Sequence, residues 1–335
     1  MDLSWLDPEH PDQVDVAGAV AVLDAARAVD APWAAGETVT SYTVRLRLGD
    51  DGYPLAAAVT RDESGRPVGT LRMAMPRWDN PHLASLRVVV DPRVRQRGLG
   101  RALFEAGLER IRAEGRTLLC GWSFEGSPGV DFQKAMGLDP VLPEALRRLD
   151  VPAMDWSRLD QQYAEAQRSA ASAADYELVR MPGPVPGEML AAVATMTESI
   201  NDAPTDDLEL EDEVFPPERI RAFEAYLAAT GRRLYRVLAR ERTSGTLAGH
   251  TVVDVDSERP WLAGQGDTSV VRAHRGHRLG LLLKIEMLRW LREVEPQLRT
   301  IDTGNAASNA HMIRVNEELG YEVVGRIIEG QRHLS

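Results

Sequence analysis

Apolar and polar positions along the chain follow strand and helix periods in a fixed order, and that order occurs twice. In the first half, residues 14–29 form an Ala-rich run with helical spacing. Residues 55–60 and 68–75 then read as two strands joined by a Gly-bearing turn. The apolar, β-branched run 85–90 predicts a buried strand that Asp91-Pro92 ends. Residues 99–113 carry Leu99, Leu103, Phe104, Leu108 and Ile111 on one helical face. A short strand at 117–122 and a short helix at 130–136, stopped by Gly137, complete the half. In the second half, a strand before Pro182 leads to helices at 189–200 and 217–229. Hairpin strands at 234–240 and 247–256 follow, with a buried strand at 268–271. A helix at 279–294 and a strand at 300–303 come next. Ser308 is the expected N-cap of a last helix ended by Gly320, and residues 321–328 read as the final strand.

The repeat has markers at a nearly constant offset. Ser64-Gly65 faces Ser244-Gly245, and the run Arg95 to Gly100 faces Arg275 to Gly280, both 180 residues on. Met136-Gly137-Leu138 faces Leu319-Gly320-Tyr321 at 183. Two homologous halves result, divided as residues 1–150, a partly helical linker 151–174, and residues 175–335. The length of 335 residues agrees, since one domain takes about 150. With 44% hydrophobic and 27% charged residues, the chain has material for two cores.

Charge and cysteine content narrow the partners. The net charge of −12 disfavours nucleic acid, whose binding rests on neutralised phosphates. One cysteine, Cys120, excludes an intramolecular disulfide, and the seven histidines show no metal-binding spacing. No apolar run reaches 18 residues and the N-terminus has no basic, apolar leader, so a cytoplasmic protein away from the membrane is expected.

The chemistry lies in the two strand–loop–helix units. Glycines let backbone approach a ligand closely, and a helix start offers free N–H groups with partial positive charge. Gly98-Leu99-Gly100 after an Arg-rich loop is therefore an anion site suited to pyrophosphate, with Arg95 and Arg97 adding charge. A tight turn with solvated arginines is the plainer alternative, which the second copy weakens. The unit lacks a P-loop signature and a GxGxxG fingerprint.

Arg95-x-x-Gly98-x-Gly100 resembles the pyrophosphate loop of the GNAT acetyltransferase superfamily, and the whole chain resembles two GNAT domains in tandem. His274 to Gly280 resembles the same loop, with Arg278 standing where the first glycine usually is. The resemblance implies an α/β (α+β) fold: two domains, each a mixed, mostly antiparallel sheet flanked by helices. It implies acetyl-CoA as cofactor. Pantetheine would lie between splayed strands, against Val88, Val89 and Val90 in one half and Thr268, Ser269 and Val270 in the other. Pyrophosphate would meet Gln96, Arg97, Gly98, Leu99, Gly100 and Arg101, and Gly276, His277, Arg278, Leu279, Gly280 and Leu281. Asn309 resembles a family asparagine near the cofactor, or is a polar residue opening a helix. The tandem layout resembles that of the mycothiol synthases, two-GNAT enzymes that acetylate an amino-sugar conjugate and use the C-terminal half.

Acetyl transfer to an amine needs a base, polarisation of the thioester carbonyl, and an acid for the leaving thiolate. The family's usual tyrosine, four residues before the glycine ending the last helix, is absent: Gln133 and Asn316 occupy those positions. Asp267 is the candidate base, with an exposed strand-end charge as the alternative, and His82 is the weaker candidate of the first half. Segment 201–213 holds seven acidic residues. Its position over a GNAT acceptor site makes Asp206, Asp207, Glu209 and Glu211 candidates for a cationic amine, though charge runs are also ordinary solvated loops. The expected function is N-acetylation of a small, cationic or amino-sugar-like amine in the C-terminal half. An acyl-CoA-binding protein without turnover and a protein N-acetyltransferase stay open. So does oligomeric state, since two halves in one chain already mimic a dimer of single-GNAT subunits.

Overall fold

The structure, a computed structural model, describes residues 3–169 and 175–334; residues 170–174 of the expected linker lie outside it. The first half runs β1 (Leu3–Trp5), α1 (Gln13–Asp30), α2 (Val39–Leu48), β2 (Ala56–Arg61), β3 (Pro67–Ala74) and β4 (Leu83–Val90). It continues with α3 (Leu99–Ala113), β5 (Leu118–Phe124), α4 (Pro128–Ala135) and β6 (Asp139–Asp150). The second half runs α5 (Trp156–Ser169), β7 (Tyr176–Pro182), α6 (Leu190–Thr197), α7 (Pro217–Ala229), β8 (Arg232–Glu241), β9 (Leu247–Asp256) and β10 (Leu262–Val270). It ends with α8 (Leu279–Val294), β11 (Thr300–Ala306), α9 (Ala310–Glu318) and β12 (Glu322–His333).

Most expected elements are present, and the differences have local causes. α2 has no apolar period in its β-branched sequence. It forms because Thr38 caps it and Tyr42 and Leu46, each 1% exposed, lock it into the core. The expected helix at 189–200 closes at Thr197 and tightens into a 3-10 turn over Glu198–Asp202. The last helix is capped by Asn309 rather than Ser308: the Asn309 side chain accepts the Met312 amide at 3.2 Å.

Contacts group the chain into two units that interleave along the sequence. Unit 1 is Met1–Ala145, Thr205–Glu211 and Gly325–Ser335; unit 2 is Leu146–Pro204 and Asp212–Val324. The division therefore does not follow two consecutive segments, as residues 1–150 and 175–335 would. Most of β12 counts with unit 1, and β6 gives Asp139–Ala145 to unit 1 and Leu146–Asp150 to unit 2. Unit 1 orders its strands β1-β2-β3-β4-β5-β12, and unit 2 orders them β11-β10-β9-β8-β7.

Each sheet is covered on both faces, so its strands are apolar on both. In unit 1, Leu71, Leu86, Leu103, Leu108 and Ile111 fill the α3 side, while Val16, Ala19, Tyr42, Leu46 and Val59 fill the α1–α2 side. In unit 2, Val237, Val253, Leu283 and Leu288 pack under α8, and Val193, Met196, Ile220 and Leu238 under α6 and α7.

β12 is the main partner of β5. It pairs along Ile327↔Phe124 to His333↔Leu118, whereas β4 meets β5 at three positions. Trp33 fixes the start of this strand, because its indole lies where a Cβ on Gly325 would sit. Deleting residues 325–335 should therefore unfold β5 and spare the second half. In hydrogen exchange, Leu118–Phe124 amides should lose protection while β8 to β10 keep theirs; equal loss in both would contradict the assignment.

Candidate functional site

The same fork opens in both sheets. β4 and β5 run parallel and pair at Leu83↔Leu118, Ala84↔Leu119 and Ser85↔Cys120, and then diverge. β10 and β11 pair at Leu262↔Thr300, Ala263↔Ile301 and Gly264↔Asp302, and then diverge. Val88, Val89 and Val90 bond to β3 on one side and have no β5 partner on the other. Thr268, Ser269 and Val270 likewise pair with β9 and have left β11. Peptide groups along these free edges need a partner from outside the sheet. A bulge between Gln265 and Thr268 starts the divergence in unit 2. The Gln265 amide braces it, donating to Thr251 Oγ1 at 3.1 Å and to the Val252 carbonyl at 2.7 Å.

The loops after the forks share one backbone form with different residues. Gln96 and Gly98 have φ of 63° and 82°; Gly276 and Arg278 have 85° and 55°. Arg278 thus adopts the left-handed conformation that its glycine counterpart takes freely, at a cost of about 1–2 kcal/mol. Neither Gly98 nor Arg278 gives a side-chain cap, so the first N–H groups of α3 and α8 stay open to an anion. A Cβ on Gly100 would meet the Phe132 ring at 3.3 Å, while one on Gly280 would meet open space.

The expectation that Arg95 adds charge to this site is corrected. Its Nε donates to the Val90 carbonyl at 3.1 Å, and its other nitrogens hold Asp30 at 2.8 and 2.6 Å. Unit 2 repeats the brace: Arg275 Nε donates to the Val270 carbonyl at 3.0 Å and pairs with Asp202 at 2.6 Å. These arginines tie the loop to the strand end. In the first loop, Arg97 and Arg101 are exposed and make no ion pair among the described residues. In the second, Arg278 pairs with Glu318 at 3.1 Å and His277 packs on the Tyr176 ring. The first loop keeps more free positive charge. Leu99 and Leu279 open their helices with side chains turned to the core, and Leu281 is buried beside them. Asn309 spends its side-chain oxygen on the cap already described.

Asp267 lies just past the bulge, on the α6–α7 side of unit 2. The residue is exposed, as the strand-end alternative has it, while neighbouring protein atoms surround its carboxyl. Burial raises that carboxyl above its usual range, with Arg236 and Arg219 pulling the other way. Nearby, Arg236 is 3.6 Å from the Glu224 carboxylate, and His250 is pushed down to about 3 by burial, so its ring is neutral at physiological pH.

The acidic segment sits differently from its expected place over the second half. Thr205–Glu211 belongs to unit 1. The Glu211 amide donates to Asn80 Oδ1 at 2.7 Å, the Glu209 amide donates to Gln331 Oε1 at 3.2 Å, and the Glu209 carboxylate meets His333 at 2.9 Å. His82 approaches the Glu209 carbonyl and the Glu211 carboxylate, so it serves this strap. Asp206, at φ 49°, and Asp207 are exposed. Paired backbone polar groups decided the placement, and composition carries no trace of that.

Sequence reasoning missed a carboxylate in unit 1. Glu329 on β12 stands opposite Trp122, in the second row past the β4–β5 fork. The Arg87 guanidinium stacks on Trp122 at 4.1 Å, and Phe124 packs edge-on against Trp122 and Trp33. Burial, with the charge of Glu144 beside it, pushes Glu329 up to about 7. Neither Glu144 nor Glu329 has an ion-pair partner among the described residues. The signal was hidden because the strand carrying Glu329 lies at the far end of the chain. Among the described residues no group of acidic, His and Cys side chains could hold a metal, and no helix is long and apolar enough to cross a membrane.

Residues 25–123 match the model of the acetyltransferase (GNAT) family. Over 99% of the chain, the fold is similar to a tandem GNAT protein from the clavulanic acid biosynthesis pathway (29% identity, TM-score 0.80, 98% of that chain). It is also similar in fold to a GCN5-related N-acetyltransferase from Sphaerobacter thermophilus (16% identity, TM-score 0.66, 99% of this chain and 95% of that one). A glucosamine N-acetyltransferase region in a fungal multi-domain beta-N-acetylglucosaminidase shares the fold at 13% identity and TM-score 0.69, over 99% of this chain and 38% of that one. No curated protein sequence matches the chain.

The environment of Glu329 has a measurable sign. Its folded carboxyl titrates above the ordinary 4.5, so the folded state loses stability as pH rises from about 4.5 to about 7 and is flat above. Glu329→Gln should raise the melting temperature of unit 1 by about 2–4 °C above pH 7. The gain should vanish below pH 4.5; a pH-independent difference would refute the assignment.

Proposed function

From a chain that carries a GNAT acetyltransferase domain in a tandem GNAT layout, we propose an acetyl-CoA-dependent N-acetyltransferase that acts on a small amine. The observation that supports this most is the repeated fork: two parallel strand pairs that part after three positions, each followed by an uncapped, left-handed loop entering a helix. Pantetheine is the right shape for such a gap, because its amides match the free strand edges at Val88–Val90 and Thr268–Val270. Its pyrophosphate fits the helix N-terminus, facing Gln96 to Arg101 and Gly276 to Leu281. The cofactor supplies the activated acetyl thioester.

In the second half, Asp267 takes the proton from the incoming ammonium, directly or through water. Its raised carboxyl suits that work, since a base closer to the operating pH is the better acceptor. The first half has its own reading as a second acceptor site, favoured by Glu329 two rows past the fork. Glu209 and Glu211 would then line the approach to the first half, with Asp206 and Asp207 adding negative charge outside. An amine is attracted by this charge, and salt weakens the attraction.

Acetyl-CoA titration by calorimetry tests the reading. Two sites are expected, the tighter one lost in Gly100→Glu and the weaker one in Gly280→Glu, because the first loop holds the free arginines. No binding by wild type would end the acetyltransferase assignment. For the base, a screen of small cationic amines supplies the acceptor. Asp267→Asn should then lower the rate about 100- to 1,000-fold with acetyl-CoA affinity kept. Because the folded carboxyl is raised, its ionised form costs stability above its folded pKa. The Asn variant should melt no lower than wild type at pH 7.

A further inference from the structure

A departing thiolate needs a proton, and neither helix that ends beside a fork offers one: Gln133 and Asn316 face the sheets there. Unit 2 holds another group in that place. α8 packs on β8, β9 and β10, whereas α9 follows β11 on the other side of the opening. Lys284 reaches across from α8. Its Nζ stands 4.9 Å from the centre of the Tyr321 ring, and Tyr321 directly follows α9 and its terminal glycine. Tyr321 feels the charge of Asp302, the last β11 residue paired before the fork. The Asn316 amide donates to Asn305 Oδ1 at 2.6 Å, on the diverged part of β11.

This crossing is polar and unfinished. Lys284 is 2% exposed and makes no hydrogen bond or ion pair among the described residues. The Tyr321 hydroxyl and Asn316 Oδ1, also buried, have no hydrogen-bond partner. Three buried polar groups in one place call for a partner the chain does not supply. In unit 1 the same crossing is apolar: Phe104, 180 residues before Lys284, meets Phe132 with ring centroids 6.1 Å apart. Phe104 fills a core, whereas a buried ammonium in its place costs stability and has to serve something else.

We propose that Lys284 is a catalytic residue of the second half, the acid that protonates the coenzyme A thiolate as it leaves. The proposal rests on the acetyl-CoA reading above. The amine nitrogen bonds to the acetyl carbon, the carbon–sulfur bond breaks with its pair on sulfur, and the Lys284 ammonium passes a proton to that sulfur. Lys284 is left as a neutral amine and takes a proton back from solvent. Asp267 passes the ammonium's first proton on to solvent before the attack and accepts the nitrogen's second proton as the amide forms. Burial brings Lys284 down to about 7, below a free thiol near 8.5, so the transfer runs toward sulfur. Tyr321 is the poorer donor, since burial and Asp302 push its phenol up. No charged side chain shifts Lys284 itself, and Asp302 is paired with Arg148 at 2.6 Å.

The test uses coenzyme A with its free thiol, bound to the Gly100→Glu protein so that the second half is read. Thiolate absorbance in the ultraviolet is followed against pH, and binding is checked by calorimetry. Lys284 is an ammonium only up to about pH 7, so the readout is the thiolate fraction of bound coenzyme A at pH 6–7, which should be about 5- to 10-fold higher than in Lys284→Met. Tyr321→Phe should keep this excess. Coenzyme A that binds Lys284→Met with the same thiolate fraction as the unsubstituted background overturns the proposal, as does an excess lost in Tyr321→Phe. Failure of coenzyme A to bind this half at all would overturn the reading on which it rests, a separate result. Folding is controlled by melting: Lys284→Met should be the more stable at pH 7, with the difference fading towards pH 10.5.

Discussion

Two parallel strands that part after three paired positions impose the main constraint on each half of this protein. A strand edge inside a covered sheet carries N–H and C=O groups that cost free energy when left unpaired. At β4 and β10 those edges begin at Leu86 and Gln265 and run to the strand ends. A ligand with its own amides, or ordered water, must complete them. The bulge at Gln265 and the Thr251 and Thr303 hydroxyls around it hold the second fork open at a defined place.

The loops that follow obey the same economy of backbone groups. Their left-handed residues turn the chain so that helix N–H groups face outward, and an arginine locks each turn to its strand. Arg95 with Asp30 and Arg275 with Asp202 are equivalent braces, with a carboxylate from the end of α1 in one half and from the 3-10 turn after α6 in the other. Because the backbone form is retained, Arg278 can replace glycine at a modest strain cost without changing the loop. What changes is charge: the second loop spends its cations internally, and the first does not.

The halves differ most in where they place unpaired titratable groups. Unit 1 keeps a carboxylate, Glu329, beside aromatic rings past its fork. Unit 2 keeps Asp267 beyond the bulge and Lys284 across the opening. Each of these groups is shifted mainly by burial, so each carries a stability penalty in its charged form. Such penalties collected around the same topological point are the physical mark of sites kept for chemistry.

The sequence by itself determined the duplicated order of strands and helices, the two Gly-bearing loops and the GNAT-like fold, because periodicity and turn residues act over short spans of chain. It also placed Asp267 near the splayed strands. Lys284 was visible as the lone charge within the apolar run from Leu279 to Ile285, yet nothing local says what its ammonium faces. The role of Arg95, the strap from Glu209 to Gln331 and His333, and the completion of unit 1 by β12 were decided by tertiary structure. Each joins residues tens to hundreds of positions apart. Such pairings are set by which buried polar groups and strand edges still lack partners once the local elements have formed.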